Sequence, residues 1–213
     1  MVADERIETY INSLGGDFPD YLLEIEKEAL SEHVPIIRKS MQEIMKYLMI
    51  TKKPERILEI GTAVGFSALL MREYAKNAKI ITIEKVPKRI EKAKENLKKY
   101  DKNNSIMLIE EDAITALKSL NQTFDFVFLD AAKGQYMNFM DDILKLVDKG
   151  GIIVSDNVLQ DGDIVQSRYA VTRRNRTIHS RMREYLYYLT HCDELTTIVL
   201  PVGDGLTIST KIS

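Results

Sequence analysis

The stretch Arg56-Ile-Leu-Glu-Ile-Gly-Thr-Ala-Val-Gly-Phe-Ser67 constrains this chain most. Ile57, Leu58 and Ile60 form a short apolar run, the mark of a buried parallel strand. Gly61 and Gly65 follow at once, and Phe66–Met71 reads as the start of a helix. The unit is strand, glycine turn, helix. Glycine lets the backbone turn sharply and lets a ligand approach the main chain. The spacing Glu-x-Gly-x-x-x-Gly departs from the Gly-x-Gly-x-x-Gly dinucleotide pattern.

The alternation continues down the chain. Strands are predicted over 79–83, ending at Glu84, then over 105–109, 124–129 and 150–154. Helices are predicted over 87–100, 114–120 and 135–147, and a basic helical region over about 164–189. Two final strands, 195–200 and 206–212, have no helix between them and pair as a hairpin. Residues 3–50 are helical in pattern: Pro19 suits a first turn with Asp17 as its cap, and a second start follows at Ser31–Pro35. The expected architecture is α/β: a seven-stranded, mostly parallel sheet with helices on both faces and extra N-terminal helices. One domain is expected over 1–213, with 1–50 as a helical extension.

Composition limits the function classes. A net charge of -2 gives no bulk attraction to nucleic acid, so such a role needs a local basic patch. The single Cys192 excludes an intrachain disulfide and a Cys-rich zinc site, and reads as structural. No apolar run approaches about 18 residues, so no membrane span is expected. The start MVADERIETY is unlike a signal peptide, and a cytoplasmic setting is expected. His33, His179 and His191 have no metal-site or triad spacing and read as surface or boundary residues.

Ligands of open α/β sheets bind outside the carboxyl ends of the strands. Those ends carry Gly61, Glu84, Asp112, Asp130, Asp156 and Asn157. Turn and cap preferences explain one or two such acids, but not a whole rim. Glu84, about 20 residues beyond the glycine turn, is placed to accept both hydroxyls of a ribose. For Asp112 a helix cap and a ligand contact stand equal. Asp130, Asp156 and Asn157 are hard oxygen donors suited to magnesium or calcium.

The glycine turn resembles motif I of the class I methyltransferases, which bind S-adenosylmethionine. The resemblance implies cofactor contacts from Gly61, Gly65 and Ser67, from Glu59 at the positively charged end, from Ile37 in the preceding segment, and from Glu84, Asp112, Ala113 and Asp130 along the rim. The motifs Asp130-Ala-Ala-Lys-Gly-Gln135 and Asp156-Asn157 resemble the metal-dependent catechol and caffeoyl-CoA type O-methyltransferases. That implies Mg²⁺ (or Mn²⁺) on Asp130, Asp156 and Asn157, with Lys133 as the catalytic lysine. Together HVPII, LEIGTAVGFSA, DAAKGQY, SDNVL and PVGDGL resemble the bacterial tRNA 5-hydroxyuridine methyltransferases. The substrate so implied is 5-hydroxyuridine at tRNA wobble position 34, giving 5-methoxyuridine, and a homodimer completed by the N-terminal helices is expected. The acid that clamps catechol in the catechol enzymes has no counterpart in Thr196–Leu200.

Independently of that resemblance, Arg168–Arg183 contains six arginines, His179 and no acid. Arginine reads phosphate through its planar fork. Arg168, Arg173, Arg174 and Arg176 are candidate RNA contacts, with Tyr169 and Tyr185 as stacking platforms. The alternatives are a solvated helix face at this run, a small-molecule catechol or phenol methyltransferase, a nucleotide-binding dehydrogenase, and a non-catalytic RNA-binding module.

Overall fold

The computed structural model describes residues 5–213; the first residues of the polar N-terminus, and with them the start of the predicted helical region, lie outside the described residues. Three helices come first: α1 (Glu5–Leu14), α2 (Asp20–Ser31) and α3 (Lys39–Lys52). The alternating part runs β1 (Arg56–Ile60), α4 (Phe66–Tyr74), β2 (Lys79–Glu84), α5 (Pro87–Tyr100), β3 (Ile106–Glu110), α6 (Ala113–Ser119), β4 (Phe124–Leu129), α7 (Tyr136–Leu146) and β5 (Val147–Ser155). Then come α8 (Arg176–His191), β6 (Leu195–Leu200) and β7 (Leu206–Lys211). The strands form one seven-stranded sheet in the order β3-β2-β1-β4-β5-β7-β6. β1 to β5 are parallel, while β7 runs antiparallel to both β5 and β6.

Because side chains alternate across a strand, the central strands feed two cores. Leu58, Ile60, Val127, Leu129 and Ile153 pack with Leu117, Ile143, Met182 and Tyr185 of α6, α7 and α8. Ile57, Phe126, Phe128 and Val154 pack with Leu22, Ile25, Met41, Met45 and Leu69 of α2, α3 and α4. Both faces of β1 and β4 are therefore buried, which is why they read as nearly unbroken apolar runs. No described helix is long and apolar enough to cross a membrane.

Three local expectations change. Residues 34–38 are not helical: His33 leaves α2 at φ 58, and the residue before Pro35 is pushed toward extended backbone. Asp17 is not a cap; Pro19 precedes α2 with no side-chain cap bond. The basic region is not one helix. A 3-10 segment covers Gln160–Val165, irregular chain follows, and α8 begins only at Arg176. Its buried positions His179, Met182, Tyr185 and Leu189 recur at helical spacing, a pattern that the preceding residues lack.

Candidate functional site

A cavity of about 560 Å³ opens beyond the carboxyl ends of β1 to β4. That volume suits a small-molecule ligand. Gly61, Glu84, Asp112, Ala113, Asp130, Lys133 and Asn157 line it. Gly61 sits at φ 106, and a Cβ there would run into the Asp130 carbonyl. Glycine is thus required where the β1 turn touches the end of β4.

Glu84, at the end of β2, is pinned by its surroundings. Its carboxylate accepts backbone N–H bonds from Ala63 (3.0 Å), Lys85 (2.9 Å) and Val86 (3.0 Å). A carboxylate offers about four acceptor positions, so about one is left for a ligand hydroxyl rather than the two expected. Asp112 does both things asked of it. Oδ1 accepts from Ile114 N (3.0 Å) as the cap of α6, Oδ2 accepts from Lys85 Nζ (2.9 Å), and the residue still lines the cavity. The Lys85 ammonium, then the Ile114 N–H, hold its carboxyl below the usual range.

Four predicted cofactor contacts do not reach the cavity. Ile37 is 3% exposed and packs in the core with Met41; Pro35 and Ile36, in the extended 34–38 segment, line the cavity instead. Gly65 precedes α4 and faces Leu97 and Ala93 of α5. Glu59 is fully buried, on the α4 face of β1, where Ser67 Oγ and Thr82 Oγ1 donate to its two oxygens. Glu59 and Ser67 therefore brace the turn from behind. Burial pushes the Glu59 carboxyl up to about 7, with the two hydroxyl bonds opposing. Thr82 had no signal in the sequence beyond a hydroxyl inside an apolar strand.

The other half of the site lies at the ends of β4 and β5. Asp130 N donates to Ile60 O and Asp156 N to Leu129 O, each at 3.0 Å, which locks both residues to the strand ends. Tyr136 Oη lies 3.1 Å from the carbonyls of both Leu129 and Asp156 and bridges the two strands from the core. Asn157 adopts φ 59, a conformation asparagine tolerates. It joins the two acids: its N–H donates to Asp156 Oδ1 at 2.8 Å, and its side-chain amide helps to lower the Asp130 carboxyl against burial. Burial pushes Asp130 up to about 6, against the opposing charge of Lys133. Burial, then the Asp130 charge, pushes Asp156 up to about 7. Among the described residues no group of three or more His, Cys, Asp or Glu could hold a metal. The donor set here is two carboxylates and an amide. These oxygens suit a hard divalent cation, whose charge would favour the ionised forms that burial disfavours, although Asp156 is 5% exposed and does not itself line the cavity.

Lys133 opens a 3-10 turn, Lys133–Gln135. Its Nζ lies 3.0 Å from Oδ2 of Asp204, which is 3% exposed. In the sequence Asp204 carries one signal, an acid between two glycines in the final turn.

The arginine run is divided. Arg168, Arg173 and Arg174 are exposed on irregular chain. Arg176 is half-buried and donates to Val171 O (3.3 Å) and Tyr169 O (3.4 Å), so it ties the loop together instead of facing outward. Tyr169 is 84% exposed, but Tyr185 is fully buried with its hydroxyl on Ser155 and offers no stacking face. His179 is also buried, contrary to expectation, with Nε2 3.2 Å from Gln166 O. Arg181 Nη1 donates to Gly134 O at 2.9 Å, which joins α8 to the turn carrying Lys133.

The chain is similar to known proteins over most of its length. A family model described as O-methyltransferase matches residues 13–212. The catechol O-methyltransferase of Niastella koreensis is 30% identical over 168 residues, 76% of this chain and 76% of that protein. The caffeoyl-CoA O-methyltransferase of Stellaria longipes is 26% identical over 226 residues, 100% of this chain and 92% of that one. The SAH-bound Podospora anserina methyltransferase PaMTH1 superposes with a TM-score of 0.89 at 28% identity, covering 98% of this chain and 95% of that chain.

Proposed function

The chain belongs to the O-methyltransferase family, and from that premise we propose that it methylates a hydroxyl flanked by a second oxygen, with S-adenosylmethionine as donor. The rim after β1, β2 and β3 holds the donor: Gly61 admits it against the main chain, Glu84 takes a ribose hydroxyl, and Asp112 and Ala113 border the base. Asp130, Asp156 and Asn157 would hold Mg²⁺ or Mn²⁺, whose charge would lower the pKa of the acceptor hydroxyl. Lys133, after its ammonium has given a proton to solvent, would receive that proton. The acceptor oxygen then attacks the sulfonium methyl, the carbon–sulfur bond breaks, and the demethylated donor leaves. Gly61 and Asp130 in contact bring the two halves together, so positioning supplies much of the acceleration.

The acceptor proposed is 5-hydroxyuridine in a tRNA anticodon loop, at wobble position 34. The observation that carries it is the exposed trio Arg168, Arg173 and Arg174 on the chain leading into α8, the helix whose Arg181 holds the Lys133 turn. A small catechol or phenol is the second reading, favoured by relatives named for catechol and caffeoyl-CoA. The test is direct. Methyl transfer to hydroxyuridine-bearing tRNA and to catechol is compared for wild type and for Arg168→Ala/Arg173→Ala/Arg174→Ala. The tRNA reading expects the triple variant to lose about two units of log–log salt slope in tRNA binding. Equal use of catechol and tRNA, or an unchanged slope, favours the small-molecule reading.

A homodimer is proposed with it. Ile7, Ile11 and Leu14 on α1, with Tyr47 and Ile50 on α3, leave an apolar surface exposed. Light scattering of Ile11→Glu against wild type tests whether this face is the contact.

A further inference from the structure

The final hairpin reaches into the site. Since β7 is antiparallel to β5, Thr207 lies opposite Ser155, and the turn 201–205 stands at the carboxyl end of β5. That turn is locked to the segment just after Asp156 and Asn157: Val158 N donates to Gly205 O and Leu159 N to Asp204 O, each at 2.9 Å. Gly205 is needed there, because a Cβ would run into the Leu159 side chain. The lock leaves the Asp204 carboxylate buried and facing Lys133 Nζ at 3.0 Å, 71 residues away in sequence. One turn thus grips both the loop after β5 and the lysine after β4.

We propose that Asp204 is a positioning residue that holds the Lys133 side chain at the cavity. Lys133 is a flexible four-carbon stem on a 3-10 turn, about a third exposed, and its neighbours Gly134 and Gln135 offer its ammonium no fixed partner of their own among the bonds described. Such a side chain would sample several rotamers in water. A buried carboxylate at 3.0 Å selects one of them, while Arg181 on Gly134 O fixes the turn below. Exposed ion pairs do little of this, but here one partner is inside the protein. The inference rests on the reading of Lys133 as the proton acceptor.

The test uses purified full-length protein and two readouts. The first is the rate at which the Lys133 amine is acetylated by acetic anhydride, followed by mass spectrometry of its peptide. Asp204→Asn should raise that rate several-fold relative to the other lysines, because the near-isosteric amide keeps the turn but releases the ammonium. The second is turnover in a cycle of Asp204→Asn, Lys133→Met and the double variant, with melting temperature and donor affinity measured on each. Asp204→Asn should lower kcat by roughly 10–100-fold with donor affinity kept, and should add little to the loss caused by Lys133→Met. Asp204→Glu should recover part of the kcat. Unchanged acetylation, or kcat losses that simply multiply in the double variant, would overturn the proposal. A fully active Lys133→Met would overturn the role of Lys133 itself, and that outcome is separate from any change in acetylation.

Discussion

The two rims of the cavity are built differently. After β1, β2 and β3 the contacts span at most 27 residues and go mostly to backbone N–H groups: Glu84 accepts from residues 63, 85 and 86, and Asp112 from Ile114 N and Lys85 Nζ. The Asp112 carboxyl is held below its usual range. After β4, β5 and β7 two contacts span farther, Lys133 to Asp204 across 71 residues and Arg181 to Gly134 across 47, while Tyr136 bridges to Asp156 across 20. There the carboxyls of Asp130 and Asp156 are pushed up to about 6 and about 7. On the first rim the carboxylates of Glu84 and Asp112 are held in place by hydrogen bonds. The second stores electrostatic cost, which a bound cation or substrate can relieve. In the proposed function, donor binding and chemistry would thus have separate structural supports, which meet where Gly61 touches Asp130.

That separation can be broken at its joint. Gly61→Ala places a methyl against the Asp130 carbonyl at a φ that alanine resists. It should abolish donor binding and turnover together and lower stability by about 2–3 kcal/mol, read by calorimetry and thermal melts. Asp156→Asn should separate the rims. Turnover should fall on the order of 10³-fold, the scale of losing several kcal/mol of transition-state charge stabilisation, while donor affinity stays within about twofold. Its melting temperature at pH 8 without added metal should rise, because an acid held up near 7 ionises there at a cost that the amide avoids. A fall in melting temperature would count against the stored cost.

Glu84→Ala should do the reverse. Donor affinity should weaken by roughly 10–100-fold, since a bond to a charged acceptor is worth about 1.5–3 kcal/mol. Catechol or tRNA affinity, measured without donor, should not change. The last variant leaves donor contacts alone and sharpens the comparison from behind the first rim. Glu59 has a folded pKa raised from 4.5 to about 7. Its contribution to stability is fully present below pH 4.5 and is lost as pH rises through about 7, with a slope of at most about 1.4 kcal/mol per pH unit. Glu59→Gln should flatten the difference curve between pH 4.5 and 7 in urea titrations. An unchanged curve would mean that Glu59 is not held protonated by burial.

Much of the first rim was legible because strand ends and turns announce themselves locally. Gly61, Glu84 and Asp112 each stand where an apolar run stops. What was misread there is the direction of side chains. Ile37 falls to the core and Ile36 to the cavity once residues 34–38 are extended instead of helical, since neighbours on extended chain face opposite ways. Glu59 sits one residue from Leu58 and Ile60 and so faces α4, away from their core. On the second rim Asp130, Asp156 and Asn157 were visible as strand ends, but Arg176 and Tyr185 were read as outward because a charge run carries no sign of which members bond inward.

By itself, the sequence determined the alternation of strands and helices, the seven strands and the acids at their ends, since each follows from periodicity and from turn chemistry within a few residues. Only the tertiary structure decided that Asp204 meets Lys133, that Arg181 meets Gly134 and that Tyr136 bridges two strands. Those pairings depend on β7 inserting antiparallel between β5 and β6 and on α8 folding back over the Lys133 turn. The physical reason is that strand order and helix docking are settled by burying both faces of one sheet at once, a condition on the whole chain that no short window contains.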